Sequence, residues 1–496
     1  MSTSGFSGIS RVVRGGLWLY GTRIVANFSG FIYWMVISAI AGSEALGLTS
    51  ATVGLASLIN GLLGLGIGVG LRRFLGQCIG LKDRECLSKY LWTAVLFTAI
   101  VYVLSGLLFY TLGSLGCGLW NYTPEMLRIT SFIILLGVWP NLEALPISFL
   151  RTDIVFLGTI IGNILRFIIG ISLVYLGFGW VGAAIGCLFP SLARLSVSLA
   201  YALRVVGFRL MFSSKVLAEV LRAGVVSWMP SIIILAGQWL GVLFVFGSSG
   251  AVETGYYYVA NAISSVVLGI AYSMLNLLLP VLSSMANGRK RAASRVLRVS
   301  LLFMTPAAVF IATYPWLPLG LLGREYVAAS GILAILLLSS VPQIITSCIG
   351  NLVYAYGYYR MALAIGLSQN IPRIILYLFL VPLYGGLGAA ISFTLGAYSG
   401  LLCSLLVARR VSFYLDARSI GIVIGIPSLL GIVSFALKLH WFIGLLVIAS
   451  SYILYARLRV FSRKDLKDIL LAFMTREEIS RLYEKLRFLV DMVFPS

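Results

Sequence analysis

The sequence predicts an all-α polytopic membrane protein of about fourteen transmembrane helices. Three observations carry that prediction. Mean hydropathy is +1.01, and only 11% of the 496 residues are charged, far below the quarter usual in soluble domains. Apolar runs of about twenty residues, enough to cross a bilayer as helix, recur along the whole length. Glycine occurs 52 times in a chain that is 60% hydrophobic, a composition suited to bundled helices whose backbones approach closely. A β-barrel is excluded because the segments are continuous rather than ten-residue alternations.

The spans fall at about 17–40, 47–71, 90–112, 128–150, 154–176, 181–203, 220–246, 256–284, 296–320, 328–355, 361–383, 387–408, 420–437 and 441–457. The polar, basic N-terminus leads straight into a full-length span without a short cleavable h-region, so the first span is expected to act as its own signal anchor. Two connections, RRFLGQCIGLKDRECLSK and NGRKRAASRVLRVS, carry five basic residues each. Alternate loops on the other side (AGSEALG, YLGFGW, FGSSGAVETG, PLYGG) carry no Lys or Arg, and only Arg128, Arg324 and Lys438 fall opposite the basic side. The positive-inside bias therefore predicts both termini in the cytoplasm of a plasma-membrane protein. That placement accounts for the net charge of +21 as topology and argues against a nucleic-acid partner. Trp120, Tyr122, Trp180, Tyr256, Tyr257, Tyr258, Trp316 and Trp441 collect on the outer face as an interfacial belt. The six cysteines lack zinc or CxxC spacing, so neither disulfides nor a metal is expected, and no cofactor motif is present.

The chain also repeats itself. VVRGG at 12–16 matches VLRAG at 220–224, and the loops ending at Gly47 and Gly255 share that offset of 208. Asn163 and Arg166 (NILRFII) match Asn370 and Arg373 (NIPRIIL) at 207, and GAAI at 182–185 recurs at 388–391, offset 206. Each copy holds six spans, and six is even, so the copies are related by an axis along the membrane normal. The predicted domains are an N-lobe at 1–210, a C-lobe at 211–412, a helix pair at 413–458 and a tail at 459–496. In that tail TREEISRLYEKLRFLV reads as a basic amphipathic helix with a Thr475/Glu478 capping box, suited to the inner leaflet.

The informative residues are deep cations. Arg23, Arg166, Arg194, Arg222 and Arg373 fall within or near spans, whereas the acid placed well inside one is Glu143. Arg166 and Arg373 lie near the midplane, where an arginine costs about 2.5–3.5 kcal/mol on insertion scales. One carboxylate cannot neutralise them all, so they must face water, backbone carbonyls or an incoming anion. Gly158, Thr159, Gly162, Asn163, Arg166 and Gly170 share one small, polar face, and Pro372 invites a kink beside Arg373. Candidate substrate-binding residues are thus Arg23, Asn163, Arg166, Arg194, Asn370 and Arg373, since a guanidinium fork suits phosphate oxygens. The competing reading makes the Asn–x–x–Arg pairs inherited interhelical hydrogen-bonding positions. Arg194 has a snorkelling alternative, and Arg222 corresponds to interfacial Arg14. Glu143, in WPNLEALP between Pro140 and Pro146, is either a coupling-ion site in a broken helix or an arginine's partner.

The order AGSEALGL, GLGIGVGLRRFLGQCIGLKDRE, duplicated halves and LNLLLPVLSSMANGRKR resembles the multidrug/oligosaccharidyl-lipid/polysaccharide (MOP) exporter superfamily, most nearly its polysaccharide-transporter branch with O-antigen-type flippases. The likeness covers about residues 10–410, and its motifs are degenerate. It implies two lobes opening alternately to each side, with a lipid-linked sugar's phosphate held in a cationic cavity. The expected function is a monomeric flippase, not an enzyme, moving an anionic polyprenyl-linked oligosaccharide outward for surface glycan assembly. The alternative is a cation-coupled multidrug or metabolite exporter using Glu143. A polyprenyl-phosphate sugar transferase is disfavoured: its chemistry needs clustered acids and often a metal, and the single histidine, His440, lies in the last outer loop.

Overall fold

The computed structural model describes residues 3–116, 121–208, 211–285 and 287–461; the amphipathic tail, Cys117 and Trp120 lie outside them. The helices in chain order are α1 (Thr3–Leu63), α2 (Ile67–Gly80), α3 (Arg84–Ser114), α4 (Pro124–Leu135), α5 (Trp139–Ser148), α6 (Thr152–Leu165), α7 (Ile171–Leu173), α8 (Gly179–Gly186) and α9 (Leu188–Val205). There follow α10 (Ser214–Ser284), α11 (Arg289–Thr313), α12 (Trp316–Gly320), α13 (Ser330–Leu338), α14 (Ser340–Ala355), α15 (Tyr359–Arg410), α16 (Ala417–Ala436), α17 (Trp441–Ala449) and α18 (Ser451–Arg457).

Three of these are too long to be single spans. The 61 residues of α1 would reach about 90 Å as a straight helix, three bilayer cores deep. Glycine resolves the conflict. Gly42 (φ 77°, ψ −179°) divides α1 and Gly250 (φ 83°, ψ −171°) divides α10, in the same left-handed backbone state 208 residues apart. Gly385 (φ 55°, ψ −132°) divides α15, and Gly179 (φ 49°, ψ −129°) opens α8, 206 residues earlier. Only glycine adopts these dihedrals without a Cβ clash. The repeat read from sequence offsets thus recurs as paired backbone bends. Counting each bent helix as two spans, and joining the short helices that continue one another (α1's second limb with α2, α4 with α5, α6 with α7, α8 with α9, α11 with α12, α13 with α14, α17 with α18), recovers the expected set of about fourteen among the described residues, and the chain is a multi-pass helical membrane protein.

The chain divides into two compact units, Met1–Tyr258 with Tyr377–Ala389 and Val259–Leu376 with Ala390–Ser496. Within the first, the second limb of α1 runs along the first limb of α10. A Cβ on Gly47 would sit 1.8 Å from the Ala251 carbonyl oxygen, and one on Gly255 would sit 2.1 Å from that of Ser43. Adding 208 to Ser43 and Gly47 gives Ala251 and Gly255, so the crossing is reciprocal, as a local two-fold requires. Further along, Trp228 donates its indole N–H to Gly61 O at 2.7 Å, and Gly66 and Gly224 meet backbone to backbone.

One expectation is corrected. Cys78 and Cys86 are joined as a disulfide, their Cα atoms 5.7 Å apart. The turn between α2 and α3, where Asp83 accepts from the Glu85 and Cys86 amides, folds two thiols eight residues apart onto one another, which motif spacing could not anticipate. The backbone dihedrals of α15 stay helical through Pro372 and break at Gly385, inside the PLYGG connection expected between two spans. The WPNLEALP break does form, as a 3₁₀ turn at Leu136–Val138 with Pro140 in the first turn of α5 and Pro146 inside it.

Candidate functional site

Arg166 is placed by a loosened helix. Asn163, in the last turn of α6, donates its side-chain amide to Thr159 O at 2.8 Å, and π-winding then runs from Arg166 to Gly170. Such bulges re-aim side chains and cluster at functional positions. The guanidinium carbon lies 4.0 Å from the Tyr33 ring centroid and 5.6 Å from that of Trp34. Nη2 reaches Cys187 Sγ at 3.5 Å, a weak acceptor. Nε is buried without a partner among the described residues. Tyr33 is fully buried, donates its hydroxyl to Ala183 O at 2.8 Å, and fits only because Gly170 and Gly186 lack side chains. Trp34 meets Tyr258 edge-on at 4.9 Å, and Tyr258 stacks on Trp239 at 6.5 Å.

The same helix presents more polar groups beside this cation. Arg23 and Asn27 are exposed. Gly30 follows, where a Cβ would lie 3.9 Å from Arg166 Nη1, and then Trp34. The spacing i, i+4, i+7, i+11 puts all four on one helix face. An exposed arginine and asparagine in a span belong against water, since lipid offers them nothing.

In the second unit, Asn370 makes the same i−4 bond, to Gly366 O at 2.9 Å. Arg373 uses its donors inside its own unit: Nη1 to Asn370 Oδ1 at 3.2 Å and Nη2 to Phe393 O at 3.4 Å, with the Phe393 ring 3.8 Å from the guanidinium carbon. Gly396 makes room for the Arg373 stem, for a Cβ there would fall 2.7 Å from that of Arg373.

Arg194 and Glu143 form a bidentate ion pair, Nε–Oε1 at 2.6 Å and Nη2–Oε2 at 2.7 Å, with the guanidinium 3.6 Å from the Trp139 ring. Glu143 is thus an arginine's partner in this structure. Nearby, Asn141 donates to Thr98 Oγ1 at 3.1 Å.

The six sequence-predicted residues therefore separate. Arg166 is 9% exposed and Arg373 3%, and the Gly158–Gly170 face is packed inside its unit instead of lining open space. Arg23 is exposed, Asn163 and Asn370 bond to their own helices, and Arg194 is neutralised. Sequence reading passed over Asn27, Trp34, Tyr33, Cys187 and Phe393. Only Asn27 left a signal, one helical turn after Arg23 in LWLYGTRIVANF.

Among the described residues the regular structure is helical, with paired glycine bends and a deep cation beside an exposed polar helix face, and the chain resembles two solved structures in fold. One is titled lipid II flippase MurJ in an inward closed conformation: TM-score 0.73, 16% identity, covering 90% of this chain and 98% of that one. Another is an inward-facing multidrug resistance MATE family transporter of the MOP superfamily: TM-score 0.60, 16% identity, 78% and 94% covered. At this identity the likeness is one of fold, and the fold is that expected of the MOP superfamily. The protein belongs to the polysaccharide biosynthesis protein family, whose profile matches residues 51–330, more than half of the 496. Neither the family description nor these neighbours are those of enzymes. Curated protein sequences provide no match.

Proposed function

We propose that the protein is a flippase that moves an anionic lipid-linked oligosaccharide across the plasma membrane for surface glycan assembly. It acts as a monomer with both termini in the cytoplasm, and lobes corresponding to residues 1–210 and 211–412 alternate in access. One observation carries the reading: Arg166 is held on Tyr33 with unspent donors, beside the exposed Arg23–Asn27 face of α1. The carrier's phosphate or pyrophosphate engages Arg23 first and Arg166 after it, with Asn27 donating to the sugar or phosphate oxygens. Burial already strips Arg166 of water, so an arriving anion meets a cation whose desolvation cost was met at folding.

Arg373 has a different part in this scheme. Its donors serve Asn370 and Phe393, so it braces the second unit. The alternative, a cation-coupled drug or metabolite exporter, needs Glu143 to receive a proton or metal cation. Two bonds from Arg194 weigh against it.

The test is Arg166→Met, which keeps volume and removes charge, in proteoliposomes carrying a fluorescent lipid-linked oligosaccharide. Translocation should fall at least tenfold while the folded protein is recovered in normal yield. Wild-type translocation by that variant would overturn the reading, and dye efflux abolished by Glu143→Gln would replace it with the alternative.

A further inference from the structure

The second unit contains a cavity of about 400 Å³ far in sequence from the residues discussed above. Its wall on α11 is built by Lys290, Arg291, Arg295 and Arg298; the opposite wall comes from Tyr414, Asp416 and Ser419 at the start of α16. Positions 291, 295 and 298 follow i, i+4, i+7, so α11 turns three guanidinium groups to one side. Four cations against one carboxylate give a net +3 among the lining side chains. That carboxylate is already engaged: Asp416 caps α16, with Oδ1 accepting from the Ser419 amide at 3.1 Å and Oδ2 from the Ser419 hydroxyl at 2.5 Å. Arg289, adjacent in sequence, belongs to another set of contacts, donating to Met285 O and Ala355 O at 2.7 and 3.2 Å.

The backbone adds to the positive field. The first turns of α11 (25 residues) and α16 (20 residues) both contribute lining residues. The first turn of α11 has no side-chain cap, so its orphan amides remain available as donors to an anion. Tyr414, Ser412 and Ser419 supply hydroxyls. Tyr414 is 78% exposed, so the cavity opens to the surface.

We propose that this cavity is a binding site for a phosphate-bearing anion, which ties α11 to α16 within the second unit. Guanidinium forks at helical spacing, the uncapped first turn of α11 and hydroxyl donors together can serve the several oxygens of one phosphate. A phosphate carried by a lipid headgroup and one free in solution place the same oxygens among the same donors. The site is separate from Arg23 and Arg166 and does not depend on the transport reading.

The experiment uses the full chain in non-ionic detergent and follows the thermal unfolding midpoint. It is titrated with inorganic phosphate, with dihexanoyl phosphatidylglycerol, and with sodium chloride at matched ionic strength. A saturable rise of several degrees is expected with at least one phosphate probe and none with chloride. A rise with both probes identifies a free-anion site, and one with the lipid alone a headgroup site. Arg295→Gln/Arg298→Gln should shift the half-saturating concentration more than tenfold. Should that variant not fold, Lys290→Gln/Arg291→Gln, nearer the surface, should shift it at least threefold. No saturable rise with either probe, or a rise unchanged in every folded variant, overturns the proposal.

Discussion

Arg166 and Arg373 began as the same residue of a duplicated half, and they now do different things. Each follows an asparagine that bonds back to the i−4 carbonyl, and each reaches toward the same equivalent position, since 187 + 206 = 393. That position is a cysteine in one copy and a phenylalanine in the other. Arg373 stacks on the Phe393 ring and donates to its carbonyl, whereas Arg166 finds a sulfur. Its ring comes instead from Tyr33, which fills the space left by Gly170. In the second half the sizes are exchanged. The equivalent of Tyr33 is Gly241 (33 + 208), the equivalent of Gly170 is Tyr377 (170 + 207), and a Cβ on Gly241 would meet the Tyr377 hydroxyl at 3.0 Å. A reciprocal large-for-small exchange keeps packed volume constant while moving the aromatic ring from one side of the helix pair to the other. Arg373 thus commits both terminal nitrogens to oxygens of its own unit, whereas Arg166 reaches only a sulfur.

The comparison can be broken at its foundation first. Gly47→Leu and Gly255→Leu each drive a side chain into a backbone carbonyl of the partner segment, so each should cost more than about 4 kcal/mol and eliminate folded protein. Recovery of one variant by detergent-solubilised gel filtration, with loss of the other, would show that the crossing is not reciprocal.

The next largest effect concerns a feature of the first half alone. At an offset of 206 the counterpart of Arg194 is Gly400, so the Glu143–Arg194 pair has no twin. Glu143→Gln should destabilise by about 3 kcal/mol, because it strands a largely buried guanidinium. The double replacement Glu143→Leu/Arg194→Leu should restore most of that, as read by thermal unfolding.

The third prediction bears on the arginines themselves. Arg373→Met leaves Asn370 Oδ1 and Phe393 O without their donor, for a loss of about 2 kcal/mol. Arg166→Met should cost less than about 1 kcal/mol, since it gives up a ring contact but also removes an unsatisfied N–H. Equal losses in unfolding midpoint would erase the distinction drawn here.

The smallest effect sharpens the comparison at the hinges. Gly179→Ala and Gly385→Ala both force an L-residue into a glycine-only backbone state, costing about 1–3 kcal/mol. Gly385 has an added obstacle: its Cβ would come within 3.2 Å of Glu253, whose Oε1 accepts from the Gly386 amide at 3.1 Å. Gly385→Ala should therefore be worse by about 1 kcal/mol, and parity in midpoint would discount the Glu253 contact.

Much of this architecture was legible in one dimension. Hydropathy marked the spans because a bilayer core demands long apolar helices whatever they pack against. The repeat was legible because NILRFII and NIPRIIL retain the residues whose roles are local: an Asn that bonds four residues back needs no partner elsewhere. The bends could be placed only as loops a few residues wide, such as PLYGG, within which Gly385 turns the chain. The burial of the Gly158–Gly170 face was misread for a related reason. Small and polar residues suit a close helix contact as well as a wet wall, and periodicity alone cannot separate them.

By itself, then, the sequence determined a membrane-embedded helical duplication carrying two deep arginines, each set by a neighbouring asparagine. The tertiary structure decided which ring each guanidinium rests on, that Glu143 belongs to Arg194, and that Arg373 but not Arg166 bonds to oxygens of its own unit. Those outcomes depend on positions 20 residues apart for Arg373 and Phe393, 51 for Glu143 and Arg194, and further still for Tyr33 against Gly170. Steric fit between distant positions is settled only when the helices meet, because packing has no sequence period.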